Sequence, residues 1–273
     1  MALASAQEEG GSAPSVSGIS SADLEEISCK YNLPLLDLEI RALELGIVPV
    51  RYLRNLQGFS LQEQLRLLRS SLVLVGLGGL GGVLLELLSR LGVGRIKAAD
   101  GDFFAEHNLN RQLLCNMSSL GESKAEAASS RCELVNPAVQ LDVVPYYLQS
   151  DDYQELLQDQ DLVLDALGGL EVRRILHDQA SRAGLPLVSA ALAGEMGYVS
   201  TIFPGDPGPL PFWQGATGAE ESLGCLAHAV FAVASAQCAE AAHILCGREP
   251  RLRGSMALLD LSDFSGLEIM RLD

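Results

Sequence analysis

Positive charge is scarce in this chain: 19 lysines and arginines face 35 aspartates and glutamates among 273 residues, a formal net charge of −16. Nucleic acid and anionic membranes both require a basic face, so broad electrostatic attraction to either is not expected, although a local basic pocket remains open. Any CxxC pair is also missing. Cys29, Cys115, Cys132, Cys225, Cys238 and Cys246 are scattered, which suits reduced thiols packed as small core residues better than a disulfide frame. No uninterrupted apolar run is long enough to span a bilayer, and the amino end has no cationic start followed by an apolar core. A cytoplasmic protein with no membrane partner is expected. No internal repeat is visible. What is present is a 48% hydrophobic chain, ample for the core of one large α/β domain with extensions.

The most informative stretch is Leu72-Val-Leu-Val-Gly-Leu-Gly-Gly-Leu-Gly-Gly-Val-Leu-Leu-Glu. Leu72 to Val75 is a short apolar run of the kind found in a parallel strand covered on both faces. Gly76, Gly78, Gly79, Gly81 and Gly82 then allow a tight turn and close approach of backbone to a ligand. Val83 to Leu91 continues as a helix whose amino end points back at the turn, a place that binds phosphate. Tight strand-to-helix packing alone would use the same glycines, and the flanking strand and helix favour the phosphate reading.

Along the chain, Met1 to Ser20 is rich in Ala, Ser and Gly without apolar periodicity and is expected to be a disordered tail. Residues 21–70 read as a helical amino-terminal extension. One helix is capped by Ser21 or Asp23, a second spans Leu35 to Leu45, and a third begins at Ser60. From residue 71 to 273 strands and helices alternate, which predicts a doubly wound, mostly parallel sheet with helices on both faces. The expected strands are Leu72 to Val75, Arg95 to Ala99, Val139 to Val144, Asp161 to Asp165, Pro186 to Ala190 and Gly197 to Phe203. Helices fill about residues 119 to 134, 151 to 159 and 171 to 183. A Pro-rich loop follows Phe203. Leu226 to Leu245 is an almost uncharged helix that the sheet or a second subunit must bury. Ser255 to Leu259 and Leu267 to Arg271 are expected to close the chain as a β-hairpin.

Asp100 ends the second expected strand, at the place where a carboxylate accepts hydrogen bonds from ribose hydroxyls. To that point NAD serves as well as ATP. Downstream lie Asp102, Asn108-Leu-Asn110-Arg111-Gln112 and Lys124. Hydride transfer has no need of cations over the phosphates, whereas attack on phosphorus needs them where charge builds up on departing pyrophosphate. Arg111 and Lys124 supply that charge, though either alone could be an ordinary surface or helix residue.

These segments, with the glycine turn, Arg51-Tyr-Leu-Arg54-Asn and Asp161-Leu-Val-Leu-Asp165-Ala, resemble the ThiF/MoeB/HesA family, bacterial relatives of ubiquitin-activating enzymes. The resemblance covers about residues 51 to 272. Even Glu221-Ser-Leu-Gly-Cys-Leu-Ala-His is similar to the family's return from its crossover loop. The likeness implies a ThiF-type, ATP-binding Rossmann-like domain. It also implies a reaction: adenylation by ATP of the terminal glycine carboxylate of a ubiquitin-like sulfur-carrier protein of the ThiS/MoaD type, ending in Gly-Gly, with release of pyrophosphate. By the same likeness Asp100 holds the ribose with Asp102 close by. Gly76, Gly78, Gly79 and Gly81 approach the phosphates. Asn108, Arg111, Gln112 and Lys124 surround the reacting phosphates, and Arg54 reaches the γ-phosphate from the neighbouring subunit of a homodimer.

The chain also departs from the family. A second aspartate three residues after Asp165 usually helps hold Mg²⁺, and here that position is Gly168. Losing a carboxylate ligand to a hard cation weakens the Mg²⁺ site, leaving Asp165 or Glu171 as substitutes. The two CxxC pairs of the family's zinc site are missing, so zinc is expected absent and no metal-ligating residue is assigned. Where some relatives carry a loop cysteine, Glu220 and Glu221 stand; Cys225 is the one cysteine with a plausible chemical role. His228 and His243 read as hydrogen-bonded core or interface residues. Three other functions stay open: a nucleotide-binding or regulatory member with weakened catalysis, an NAD-dependent oxidoreductase, and activation of a carboxylate on modified tRNA, which the acidic balance disfavours.

Overall fold

The structure, a computed structural model, describes residues 17–213, 222–262 and 266–272. At the amino end, β1 (Gly18–Ile19) pairs in parallel with β2 (Val48–Pro49). The expected tail therefore stops short of residue 20, and its first sixteen positions, 1–16, lie outside the described residues. α1 (Ser21–Tyr31) is capped by Ser20 instead of Ser21 or Asp23, and Asp23 reaches back to complete a reciprocal cap. α2 (Leu35–Glu44) follows, and α3 (Leu61–Arg69) opens on Ser60 and Glu63 in the same manner. Leu36, Leu43, Val48, Tyr52, Leu65 and Leu68 form a small core beneath them. Tyr52 fastens this extension to the rest: its hydroxyl donates to Glu39 at 2.8 Å and accepts from the Asn136 amide at 2.9 Å.

The main sheet holds β3 (Ser71–Val75), β4 (Arg95–Ala99), β5 (Gln140–Val144), β6 (Leu162–Asp165), β7 (Leu187–Ala193), β8 (Met196–Ile202), β9 (Ser255–Asp260) and β10 (Gly266–Arg271). Their order is β10-β9-β8-β7-β6-β3-β4-β5, parallel from β7 to β5 and antiparallel from β7 to β10. β9 and β10 make the expected hairpin, and because β9 also pairs with β8 the hairpin extends the main sheet.

The helices are α4 (Gly79–Leu91), α5 (Lys124–Val135), α6 (Asp152–Leu157), α7 (Leu170–Arg182) and α8 (Ala227–Leu245). Side chains alternate across β3, so Leu72 and Leu74 join one core with residues of α4, α5 and α8, while Val73 and Val75 join another with residues of α6 and α7. The sheet is thus doubly wound, as the alternating pattern implied. α5 starts at Lys124, later than expected, because Gly121 turns the chain at φ 82° and Ser123 caps the helix. α6 is shorter than expected and is followed by Asp159 at φ 58°. The sheet itself, with α4, buries the apolar face of α8.

From β3 the chain winds outward through β4 and β5, then returns to β6 and β7 on the other side of β3. Such a switch opens a crevice at the carboxyl ends of the two central strands, where ligands bind in open α/β sheets.

Candidate active site

The glycine turn lies at that switch. Gly76 adopts φ 97°, and its amide continues the ladder to the Ala99 carbonyl at 2.8 Å. A Cβ added at Gly81 would lie 1.8 Å from the Gly76 carbonyl oxygen, so only glycine lets α4 start so close to the strand. Gly78 caps α4 without any side-chain hydrogen bond, which leaves the first amides of the helix directed into the crevice.

Asp100 fixes this turn to the next strand. One carboxylate oxygen accepts from the Leu77 amide at 2.7 Å and the other from the Asp102 amide at 2.9 Å. Asp102 in turn accepts from the Lys124 ammonium at 2.6 Å and from the Phe103 amide at 2.9 Å. Partial burial pushes the Asp102 carboxyl upward, but Lys124, the Phe103 amide and His107 outweigh it and hold the group below the usual carboxylate range. The Lys124 side chain is only 7% exposed, so its charge is aimed by α5 and Asp102 instead of wandering in solvent.

Arg111 and Gln112 also pack against the turn. The Cβ position of Gly79 is 3.9 Å from Arg111 Cγ, and that of Gly78 is 3.5 Å from Gln112 Nε2. The Arg111 guanidinium donates to the His107 carbonyl at 3.1 Å and to Asn110 Oδ1 at 2.9 Å. Gln112 is buried, and its Oε1 has no protein partner. A buried acceptor left unpaired beside an uncapped helix end suits a bound polar ligand.

The structure therefore gathers Gly76, Gly78, Gly79, Gly81, Asp100, Asp102, Arg111, Gln112 and Lys124 around one crevice. Asn108 lies beneath it: its side-chain oxygen accepts from the Ala105 amide at 3.0 Å, and its carbonyl accepts from the Gln112 amide at 2.9 Å. It shapes the segment that carries Arg111. Arg54 is exposed ahead of a short 3₁₀ turn at Asn55–Gln57.

Asp165 corrects an expectation. Its side chain is wholly buried, with Oδ2 bound to Arg173 at 2.9 Å, His177 at 3.0 Å and Ser189 at 3.0 Å, and Oδ1 to the Leu167 amide at 3.1 Å. Burial works to raise this carboxyl, yet Arg173, His177 and the Leu167 amide prevail and keep it below its ordinary value. Arg173 also donates to the Leu167 and Ala190 carbonyls and to the Tyr198 hydroxyl. The cluster braces the turn after β6, where Ala166 packs against Gly76. Sequence reasoning missed this cluster, although Arg173 and His177, four residues apart on one face of α7, were a legible signal.

The residues present do not fit a protein-held Mg²⁺. Asp165 is sealed from the crevice, the Glu171 side chain is 89% exposed and bound to Arg174, and a cation on Asp100 or Asp102 would sit against the amide hydrogens and the Lys124 ammonium those oxygens already accept, although lone pairs remain for neutral hydroxyl donors. Among the described residues no group of three or more His, Cys, Asp or Glu is placed to hold a metal. Cys115, Cys132, Cys238 and Cys246 are buried; burial pushes the Cys238 thiol up to about 12 and the Cys246 thiol up to about 11. Half-buried Cys225 precedes α8, and its carbonyl accepts from the Asn110 amide at 3.1 Å. His228 is bound to Glu195 at 3.0 Å on the surface. Glu220 and Glu221 lie outside the described residues.

A model of the ThiF family matches residues 52–273. The chain belongs to the ThiF family. A sulfur carrier protein adenylyltransferase of Thermus thermophilus is 34% identical over 220 residues, spanning 75% of this chain and 79% of that one. The molybdopterin-synthase adenylyltransferase of Escherichia coli is 30% identical over 231 residues, spanning 81% and 93%. Among solved structures, Escherichia coli MccB with ATP shares the fold, with a TM-score of 0.70 at 18% identity over 81% of this chain and 70% of that one. The ThiF resemblance seen in the motifs thus extends through the whole sheet.

Proposed function

We propose that this ThiF-family chain is an ATP-dependent adenylyltransferase that activates the terminal glycine carboxylate of a ubiquitin-like sulfur-carrier protein ending in Gly-Gly. The observation that carries the reading is that Arg111 packs against Gly79 of the uncapped turn while Lys124 is tied to the same turn through Asp102 and Asp100. Relatives named for this activity support it.

In this reaction a carboxylate oxygen of the carrier bonds to the α-phosphorus of ATP as the bond to the bridging oxygen breaks, giving an acyl-adenylate and pyrophosphate. Negative charge grows on the departing pyrophosphate. The amino end of α4 and Arg111 stabilise it, being fixed before reaction and needing no rearrangement. Lys124, oriented by Asp102, meets the phosphate chain from the α5 side. Asp100 receives the ribose hydroxyls with the lone pairs its two amide contacts leave free, and Gln112 Oε1 takes a donor from the nucleotide. Arg54 is assigned to the γ-phosphate of the neighbouring subunit in a homodimer, and the protein to the cytoplasm. No zinc enters this reading, because the chain has no CxxC pair.

Exchange of labelled pyrophosphate into ATP in the presence of the carrier tests the proposal. Carrier-dependent exchange supports it, and none with any Gly-Gly carrier, under conditions where a related enzyme works, contradicts it. Gly168 and the sealed Asp165 favour a second reading, a nucleotide-binding member with weakened catalysis. Gly168→Asp separates the two: turnover that appears only in the variant selects the second.

A further inference from the structure

We infer that this chain holds its nucleotide without a divalent cation bound to protein carboxylates, the phosphate charge being met by Arg111 and the amino end of α4. The inference rests on reading the crevice as an ATP site. A hard cation in a protein needs at least one carboxylate or carbonyl oxygen free to turn toward it. Three carboxylates border this crevice, and each is held by donors. Asp165 lies behind the turn with Arg173, His177 and Ser189 on its Oδ2, so the guanidinium of Arg173 already meets this carboxylate where a cation would bind. The turn continues through Ala166, Leu167, Gly168 and Gly169, none of which carries an oxygen on its side chain. Asp100 holds the Leu77 amide, and releasing it would loosen the glycine turn itself. Asp102 faces the ammonium of Lys124, which would repel a second cation at the same oxygen.

The groups suited to anionic phosphate are present in the same place. The α4 terminus is uncapped, Arg111 runs alongside Gly79, and the donor Nε2 of Gln112 lies 3.5 Å from the Cβ position of Gly78. Nucleotide affinity should then be indifferent to the free Mg²⁺ concentration, unlike that of a site in which a carboxylate bridges protein to metal.

Calorimetric titration of the full chain with ATP, once in excess Mg²⁺ and once in excess EDTA, tests this. The expected dissociation constants agree within about threefold, and Arg111→Ala weakens both by about tenfold. A loss of affinity of about tenfold or more on chelation overturns the inference while leaving the ATP reading intact. An Arg111→Ala variant that binds as tightly as the wild type overturns the assignment of charge to Arg111. Absence of ATP binding in both solutions overturns the ATP reading and the inference with it.

Discussion

Asp165 Oδ2 and the guanidinium of Arg173 meet at 2.9 Å in the interior, their side chains 0% and 5% exposed. A buried pair contributes little net stability compared with apolar residues, but removing one partner strands the other charge and costs about 3–5 kcal/mol. Asp165→Asn, which keeps the shape and deletes the charge, is expected to lose stability on that scale in urea denaturation. A loss below about 1 kcal/mol would mean that the pair is not shielded as the structure has it.

The same carboxyl predicts an acid response. Its value in the folded protein lies below the ordinary one, so its stabilisation is fully present above the unfolded value of about 4 and is lost as pH falls through the folded value. Thermal midpoints of the wild type and Asp165→Asn should differ most near neutrality and converge in acid. A difference between them that stays constant down to pH of about 3 would contradict the assignment.

Gly81 tests the turn. With the Gly76 carbonyl oxygen 1.8 Å from the position a Cβ would take, Gly81→Ala must displace backbone, not a flexible side chain. Destabilisation of about 1–3 kcal/mol is expected, together with lost ATP binding. A variant that melts and binds as the wild type does would show that the helix does not start where described.

Gln112 separates ligand binding from stability. Because its buried Oε1 has no protein partner, Gln112→Leu should change stability by less than about 1 kcal/mol while lowering ATP affinity. Unchanged affinity in isothermal titration would remove Gln112 from the site.

Much of this was legible in the residues. Apolar runs such as Leu72 to Val75 announce buried parallel strands because both faces of the sheet are covered, and the glycine turn announces the crevice because no other residue tolerates a carbonyl as close as that of Gly76 to Gly81. The Asn-x-Asn-Arg-Gln segment and the family likeness pointed to Arg111 and Lys124, and the fold brings Arg111 beside Gly79 and ties Lys124 to the same turn through Asp102 and Asp100. Asp165 was misjudged for a physical reason. A strand-end aspartate can face a ligand or turn inward, and only the three-dimensional arrival of Arg173, His177 and Ser189 decides which. Likewise, pairing of Gly18 and Ile19 with Val48 and Pro49 is set by tertiary packing, because a two-residue strand has no periodicity to read.

Adenylation at the glycine turn is read out by intact mass spectrometry of a Gly-Gly carrier incubated with ATP and this protein, under mildly acidic quench to preserve the acyl-adenylate. A carrier species heavier by one adenylyl group is expected, formed only with ATP and reduced by about a hundredfold in rate when Lys124→Met replaces the wild type. Unmodified carrier throughout, or adduct formed equally by Lys124→Met, would contradict it.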